Sequence, residues 1–152
     1  AMKRQTGMTL IELVMTIVII GIAAAALFSA MAAITTRSAD PLLRQQSLGI
    51  AEAYLEEILL KDYVDANGVV CPAVPGNRSQ YQTVCDYAGL NDNGAREADG
   101  TSIAALAAYR VNVTVTPHAW AGLAAADALY VEVTVTDPAN QPLVLGGYRT
   151  RY

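Results

Sequence analysis

Lys3-Arg4-Gln5-Thr6-Gly7-Met8-Thr9-Leu10-Ile11-Glu12-Leu13-Val14 leads straight into an apolar run that continues to Ala33. From Leu13 to Thr36 there are 24 residues without a charge, broken in polarity only by threonines, Gly21 and Ser29. At about 1.5 Å per residue, a helix over 13–33 spans roughly 30 Å, the thickness of a bilayer core. Lys3 and Arg4 sit before it, so the positive-inside rule puts its N-terminal end in the cytoplasm. A cleavable export signal shares the basic start and the apolar run, and the alanine-rich end offers a cut near Ala30–Ala33. Glu12 argues against that alternative. A carboxylate at the head of a membrane helix costs up to about 3 kcal/mol on insertion scales, and an export signal has no use for it. A charge kept in apolar surroundings calls for a partner, and a new α-amine on Met8, freed by a cut after Gly7, would be one.

The surrounding composition narrows the options. The 152 residues carry a net charge of −4, with 53% apolar and 16% charged side chains, and a mean hydropathy of +0.29. After Thr36 there are 8 basic residues against 13 acidic ones. A nucleic-acid partner is not expected, because a phosphate backbone needs clustered Lys and Arg. Disorder is excluded by the β-branched and aliphatic content of the C-terminal part. The length suits one domain with a genuine core, carried on an anchor.

With the basic leader, Gly7, Glu12 five places beyond it and the apolar helix in view, the N-terminus resembles that of type IV pilins and pseudopilins. The resemblance implies cleavage between Gly7 and Met8 by prepilin peptidase and methylation of the new Met8 amine. It further implies that Glu12 docks the subunit by pairing with a neighbour's N-terminal amine in the fibre core. Met8 departs from the Phe that most major pilins carry there. The implied partners are other major and minor pilins, an inner-membrane assembly platform, and membrane lipid before assembly. Residues 1–7 are then a cytoplasmic leader that is removed, 8–36 a transmembrane and assembly helix, and 37–152 a periplasmic or extracellular domain. Met2-Lys3-Arg4 reads as the natural start, with Ala1 as an addition.

Outward from the anchor, Asp40-Pro41 reads as a break, since Pro41 disfavours helical geometry at Asp40 while Asp40 and Pro41 suit an N-cap and first turn. A second, amphipathic helix is expected from about Pro41 to Asp62. Leu48, Ala51, Tyr54, Leu55, Ile58 and Leu59 recur on one face. Arg44, Gln45, Glu52, Glu56 and Lys61 lie opposite, and Glu57 with Lys61 makes an i,i+4 pair. Val64 to Gly100 holds Asn67-Gly68, Pro72, Pro75-Gly76, Asn93-Gly94 and Asp99-Gly100, the marks of a long connecting region. Cys71 and Cys85, the two cysteines of the chain, lie in it on the non-cytoplasmic side, where a structural disulfide is expected. Asn91-Asp92-Asn93-Gly94 with Glu97 and Asp99 gathers oxygen ligands, but the spacing is not that of a calcium loop, and no metal or cofactor is assigned.

The last fifty residues read as sheet. Tyr109, Val111, Val113 and Val115 alternate with polar residues, as do Leu129, Val131, Val133 and Val135. Asp137-Pro138-Ala139-Asn140 turns the chain into a third strand, about Leu143 to Tyr152. The expected fold is α+β and pilin-like: a long N-terminal helix packed on an antiparallel β-meander, with a disulfide-bridged connecting loop. His118 and Trp120, in the alanine-rich loop between the first two strands, are read as covering one end of the sheet, with contact to a ligand or neighbouring subunit as the alternative.

Catalysis finds no support, since the single His has no nucleophile or acid in a recognisable motif and no phosphate loop or zinc signature occurs. Arg37-Ser38-Ala39-Asp40-Pro41-Leu42 and Ala51-Glu52-Ala53-Tyr54-Leu55-Glu56-Glu57-Ile58-Leu59 resemble the D-type minor pilins of mannose-sensitive haemagglutinin pili. That implies a minor pilin which helps initiate or cap a surface fibre, anchored in the bacterial inner membrane and then carried to the cell surface. Two alternatives stay open. One is a minor pseudopilin of a type II secretion system; the other is a ligand-binding tip adhesin or DNA-uptake pilin.

Overall fold

The computed structural model describes residues 9–151, with residues 33–40 described by backbone alone. Helix α1 runs Leu10–Leu59, 50 residues, with Pro41 inside it. The expected break at Pro41 therefore takes a different form: the helix is not interrupted, but the chain divides into two units between Pro41 and Leu42. A proline forfeits one backbone hydrogen bond and costs about 3 kcal/mol, which a long run of good helix formers on both sides can carry.

In the first unit, Leu10–Ala32 is apolar on every side, with a mean hydropathy of 2.6 and none of it buried. Leu10, Ile11, Ile19, Ile22 and Phe28 all stand exposed. By length and composition this segment is long and apolar enough to cross a membrane.

The second unit is built on residues 42–59 of α1. Ser47, Ile50, Ala51, Tyr54, Leu55 and Ile58 form its buried face, spaced three and four apart as a helical stripe must be. Ala51, Tyr54, Leu55 and Ile58 are buried as expected, while Leu48 is 38% exposed and Ser47 takes its place inside. Four strands complete the core: β1 Asn91–Asn93, β2 Arg110–Pro117, β3 Ala128–Thr136 and β4 Pro142–Thr150. They form one antiparallel sheet in the order β1-β2-β3-β4, the expected meander with a short extra edge strand. Val111, Val113 and Val115 pair with Val135, Val133 and Val131. Period-two alternation puts these valines on one face, where they join the helix stripe in a single apolar cluster. The pilin-like α+β reading holds.

Between helix and sheet the chain is less featureless than its turn signals imply. Short 3-10 turns span Arg78–Gln80, Val84–Tyr87 and Ala104–Leu106. Cys71 and Cys85 are disulfide-bonded, as expected, across a sequence separation of 14. Cys85 is buried in the core while Cys71 lies on an exposed stretch, so the bridge ties the outer loop to the interior. Cys71→Ser with Cys85→Ser is expected to cost about 3 kcal/mol in the chain-entropy picture. Denaturant titration of the full chain, with and without the pair, reads this directly; an unchanged midpoint would mean the loop is held by other contacts alone.

Candidate assembly segment and the clamp of the globular unit

Glu12 lies in the first turn of α1 and is exposed. A carboxylate there meets the positive end of the helix dipole. Thr16 Oγ1 donates to the Glu12 backbone carbonyl at 2.7 Å. Gly7 and Met8, the expected cleavage and methylation positions, lie outside the described residues.

The globular unit holds a buried polar cluster that the linear sequence does not announce. Arg78, its side chain 6% exposed, reaches Asp92 at 2.7 Å and Glu57 at 3.2 Å. Tyr54 donates from its hydroxyl to Asp92 Oδ2 at 2.9 Å and accepts from the Arg96 backbone N–H at 2.7 Å. The Tyr87 hydroxyl donates to Glu57 Oε1. The guanidinium also lies 4.8 Å from the Tyr54 ring centre and 5.7 Å from that of Tyr87, within cation–π range. One cation thus joins α1, the connecting loop and β1. The Glu57–Lys61 pair expected along the helix does not form; Glu57 turns to Arg78, and Lys61 Nζ donates to the Tyr81 carbonyl at 3.2 Å. A buried guanidinium outbids a solvated ammonium because its alternative is an unpaired charge out of water.

Asp92 and Asp99 of the 91–99 loop already have partners within the fold. Asp92 points inward to Arg78, while Asp99 Oδ1 accepts the Thr101 N–H at 2.7 Å in its own turn. No group of metal-ligating side chains occurs among the described residues.

Burial raises the Tyr54 and Tyr87 hydroxyls above the ordinary 10.0, and the hydrogen bond and charge of Glu57 push Tyr87 further. Burial raises Tyr63 and Tyr109 as well. The folded chain holds these protons more tightly than the unfolded chain does. Their contribution is therefore complete below about pH 10 and is lost as pH climbs toward the raised values. Melting temperatures followed from neutral to alkaline pH should fall above that point, and Tyr87→Phe should flatten the fall. A slope identical in parent and variant would remove Tyr87 from the account.

The comparisons address the other end of the chain. Residues 2–28 match the prokaryotic N-terminal methylation motif. The match covers the leader and the start of the apolar run, and it supports the resemblance of this segment to the N-termini of type IV pilins and pseudopilins. These are structural, non-enzymatic proteins, and the motif implies processing of this pilin-like chain by prepilin peptidase and assembly with pilins. Motif and apolar helix together suggest anchoring in the inner membrane before assembly. No curated protein and no solved structure shows significant similarity to the chain. Leader and Glu12 were legible because they form a linear signal. Arg78, Glu57, Asp92, Tyr54 and Tyr87 were not, since the partners are 14 to 38 residues apart in the chain.

Proposed function

We infer that this chain is a minor type IV pilin, cut between Gly7 and Met8 and methylated on Met8, that helps initiate or cap a surface fibre. The observation that carries the reading is the methylation motif over 2–28 leading into an apolar helix and a disulfide-bridged pilin-like unit. The minor role draws on the likeness of residues 37–42 and 51–59 to the D-type minor pilins of mannose-sensitive haemagglutinin pili. In this account residues 8–36 span the inner membrane with the N-terminus in the cytoplasm, and 37–152 fold in the periplasm. The assembly platform then extracts the subunit, and Glu12 sets its register against a neighbour. The pseudopilin of a type II secretion system shares the same motif, so location decides between the two.

Intact mass and N-terminal analysis of the native chain, from sheared surface fibres and from membranes separately, tests this. A methylated chain beginning at Met8 and found in fibres is the expected result. The same chain confined to membranes, with a defect in exoprotein release when it is deleted, would replace the pilus with a secretion system. An uncut chain in both fractions would overturn the reading.

A further inference from the structure

The outward face of the sheet, opposite the valines, carries a run of aromatic rings at one end. Trp120 stacks on Tyr148 with ring centres 4.9 Å apart and planes within 13°. Tyr130, the cross-strand partner of Tyr148, sits 5.0 Å further on. His118 Nδ1 lies 3.3 Å from the Tyr148 hydroxyl, fixing that ring from its polar tip. The rings do not close on a core. Trp120 remains 47% exposed, so part of its surface is open to a ligand.

Two backbone features set this surface up. Trp120 and Leu123 bond each other through both backbone groups, Leu123 N–H to Trp120 O at 2.8 Å and the reverse at 3.2 Å. The residues between, Ala121 and Gly122, have φ of 49° and 86°. This is the tight hairpin turn with both central residues left-handed, and an alanine there is strained. Backbone strain that holds an exposed ring in place points toward use. On β4, a Cβ at Gly146 would come 2.1 Å from the Tyr130 hydroxyl, so only glycine lets that ring lie over the strand.

We propose that this platform binds a neutral carbohydrate chain. The C–H faces of pyranose rings lie flat on aromatic faces, whose π-clouds are electronegative. Sugar hydroxyls need a few acceptors and donors beside the rings. Thr116 pairs with Tyr130, and Glu132 lies two residues along β3 on the same face, which supplies both. The same outward face continues to an open polar basin of about 570 Å³ lined by Asn91, Asn93, Asn112 and Arg110. From Thr116 to Asn112 is about 13 Å along the strand, a length that suits an oligosaccharide better than a single sugar. Other occupants fit less well. A quaternary ammonium needs ring faces open toward it on several sides, whereas Trp120 and Tyr148 stack on each other and the tilted rings of Tyr130 and His118 close on Tyr148 itself. A nucleic-acid strand would stack, but its phosphates would meet Glu132 on a chain of net charge −4. The inference holds for a pilus or a secretion fibre alike.

The test uses the full chain in a detergent that carries no sugar headgroup. Cellopentaose, chitopentaose and mannopentaose are titrated by calorimetry, with a single-stranded oligothymidylate and choline as controls. Fluorescence of Trp120, the single tryptophan, locates the event. Saturable binding of at least one glycan with a shift in Trp120 emission is expected. Trp120→Ala and Tyr148→Ala should each weaken it about tenfold or more. Glu132→Gln keeps every ring and should weaken it several-fold, which guards against a ring variant that fails to fold. Absence of saturable binding to all three glycans, binding to the controls instead, or glycan binding untouched by Glu132→Gln and a folded Trp120→Ala would each overturn the proposal.

Discussion

Arg78→Ala is expected to destabilise the globular unit by about 3–5 kcal/mol, the range for removing one partner of a buried ion pair. The loss exceeds the worth of the bonds themselves. With the guanidinium gone, Glu57 and Asp92 stand together as carboxylates, and Asp92, with a side chain 9% exposed, has little water to turn to. Arg96 also approaches Asp92, at 3.5 Å, but its side chain is 38% exposed. Its replacement by alanine should cost no more than about 1 kcal/mol. Arg78→Lys should fall between, since an ammonium keeps the charge but cannot address two carboxylates with one planar fork. Denaturant titration followed by tyrosine fluorescence ranks the three. Equal midpoints for Arg78→Ala and Arg96→Ala would mean the cluster relaxes into water and holds nothing.

Glu12→Ala is the second large effect. On the proposed function, the variant inserts in the membrane and is cut at Gly7 as the parent is, yet its share in fibres falls about tenfold or more, as the loss of 1.4 kcal/mol or more of docking energy requires. The carboxylate meets its partner amine only once both have left the bilayer for the fibre core. There an unpaired charge is most costly, so pairing favours one register over others. Glu12→Gln, isosteric but neutral, should fall as well. Immunoblots of sheared fibres and of membranes read the ratio, and parental levels of Glu12→Ala in fibres would remove docking from this residue.

What the chain's letters disclosed and what they withheld divide along physical lines. The anchor, the helix stripe and the paired Val-x-Val-Thr-Val-Thr strands were legible because each follows from local period and solvent preference. The cysteine pair was legible because a chain with two cysteines has one internal pairing. Ser47 in place of Leu48 was not, because the phase of a helix is set by what packs on it; Tyr54 and Ile58 fix the face, and residue 47 falls beneath it. Strand β1 escaped notice because three residues of Asn-Asp-Asn carry no strand signature. It exists through pairing with β2, and through Asp92 being drawn inward by Arg78. The aromatic platform was half legible: Trp120 and His118 stood out, but their partners Tyr130 and Tyr148 are assembled by strand register.

That register has a consequence of its own. Sliding β3 by two residues against β2 would still set Val133 opposite Val111 and Val131 opposite Val113, with aliphatic residues throughout the inner face. The two valine tracts, which look like the most informative part of the sheet, are therefore nearly degenerate and could not choose their own alignment. The choice rests with the ends. The turn at Trp120–Leu123 and the His118 N–H to Ala128 carbonyl bond at 3.0 Å count the residues on one side. At the far end of the ladder the Arg110 guanidinium donates to Asn140 Oδ1 at 3.1 Å, while the Asp137 N–H to Gln141 carbonyl bond at 3.1 Å sets the next pair, β3 with β4. Such a ladder is mispaired by lengthening a turn more readily than by altering a valine, so its tolerance to change lies in the strands and its vulnerability in the loops.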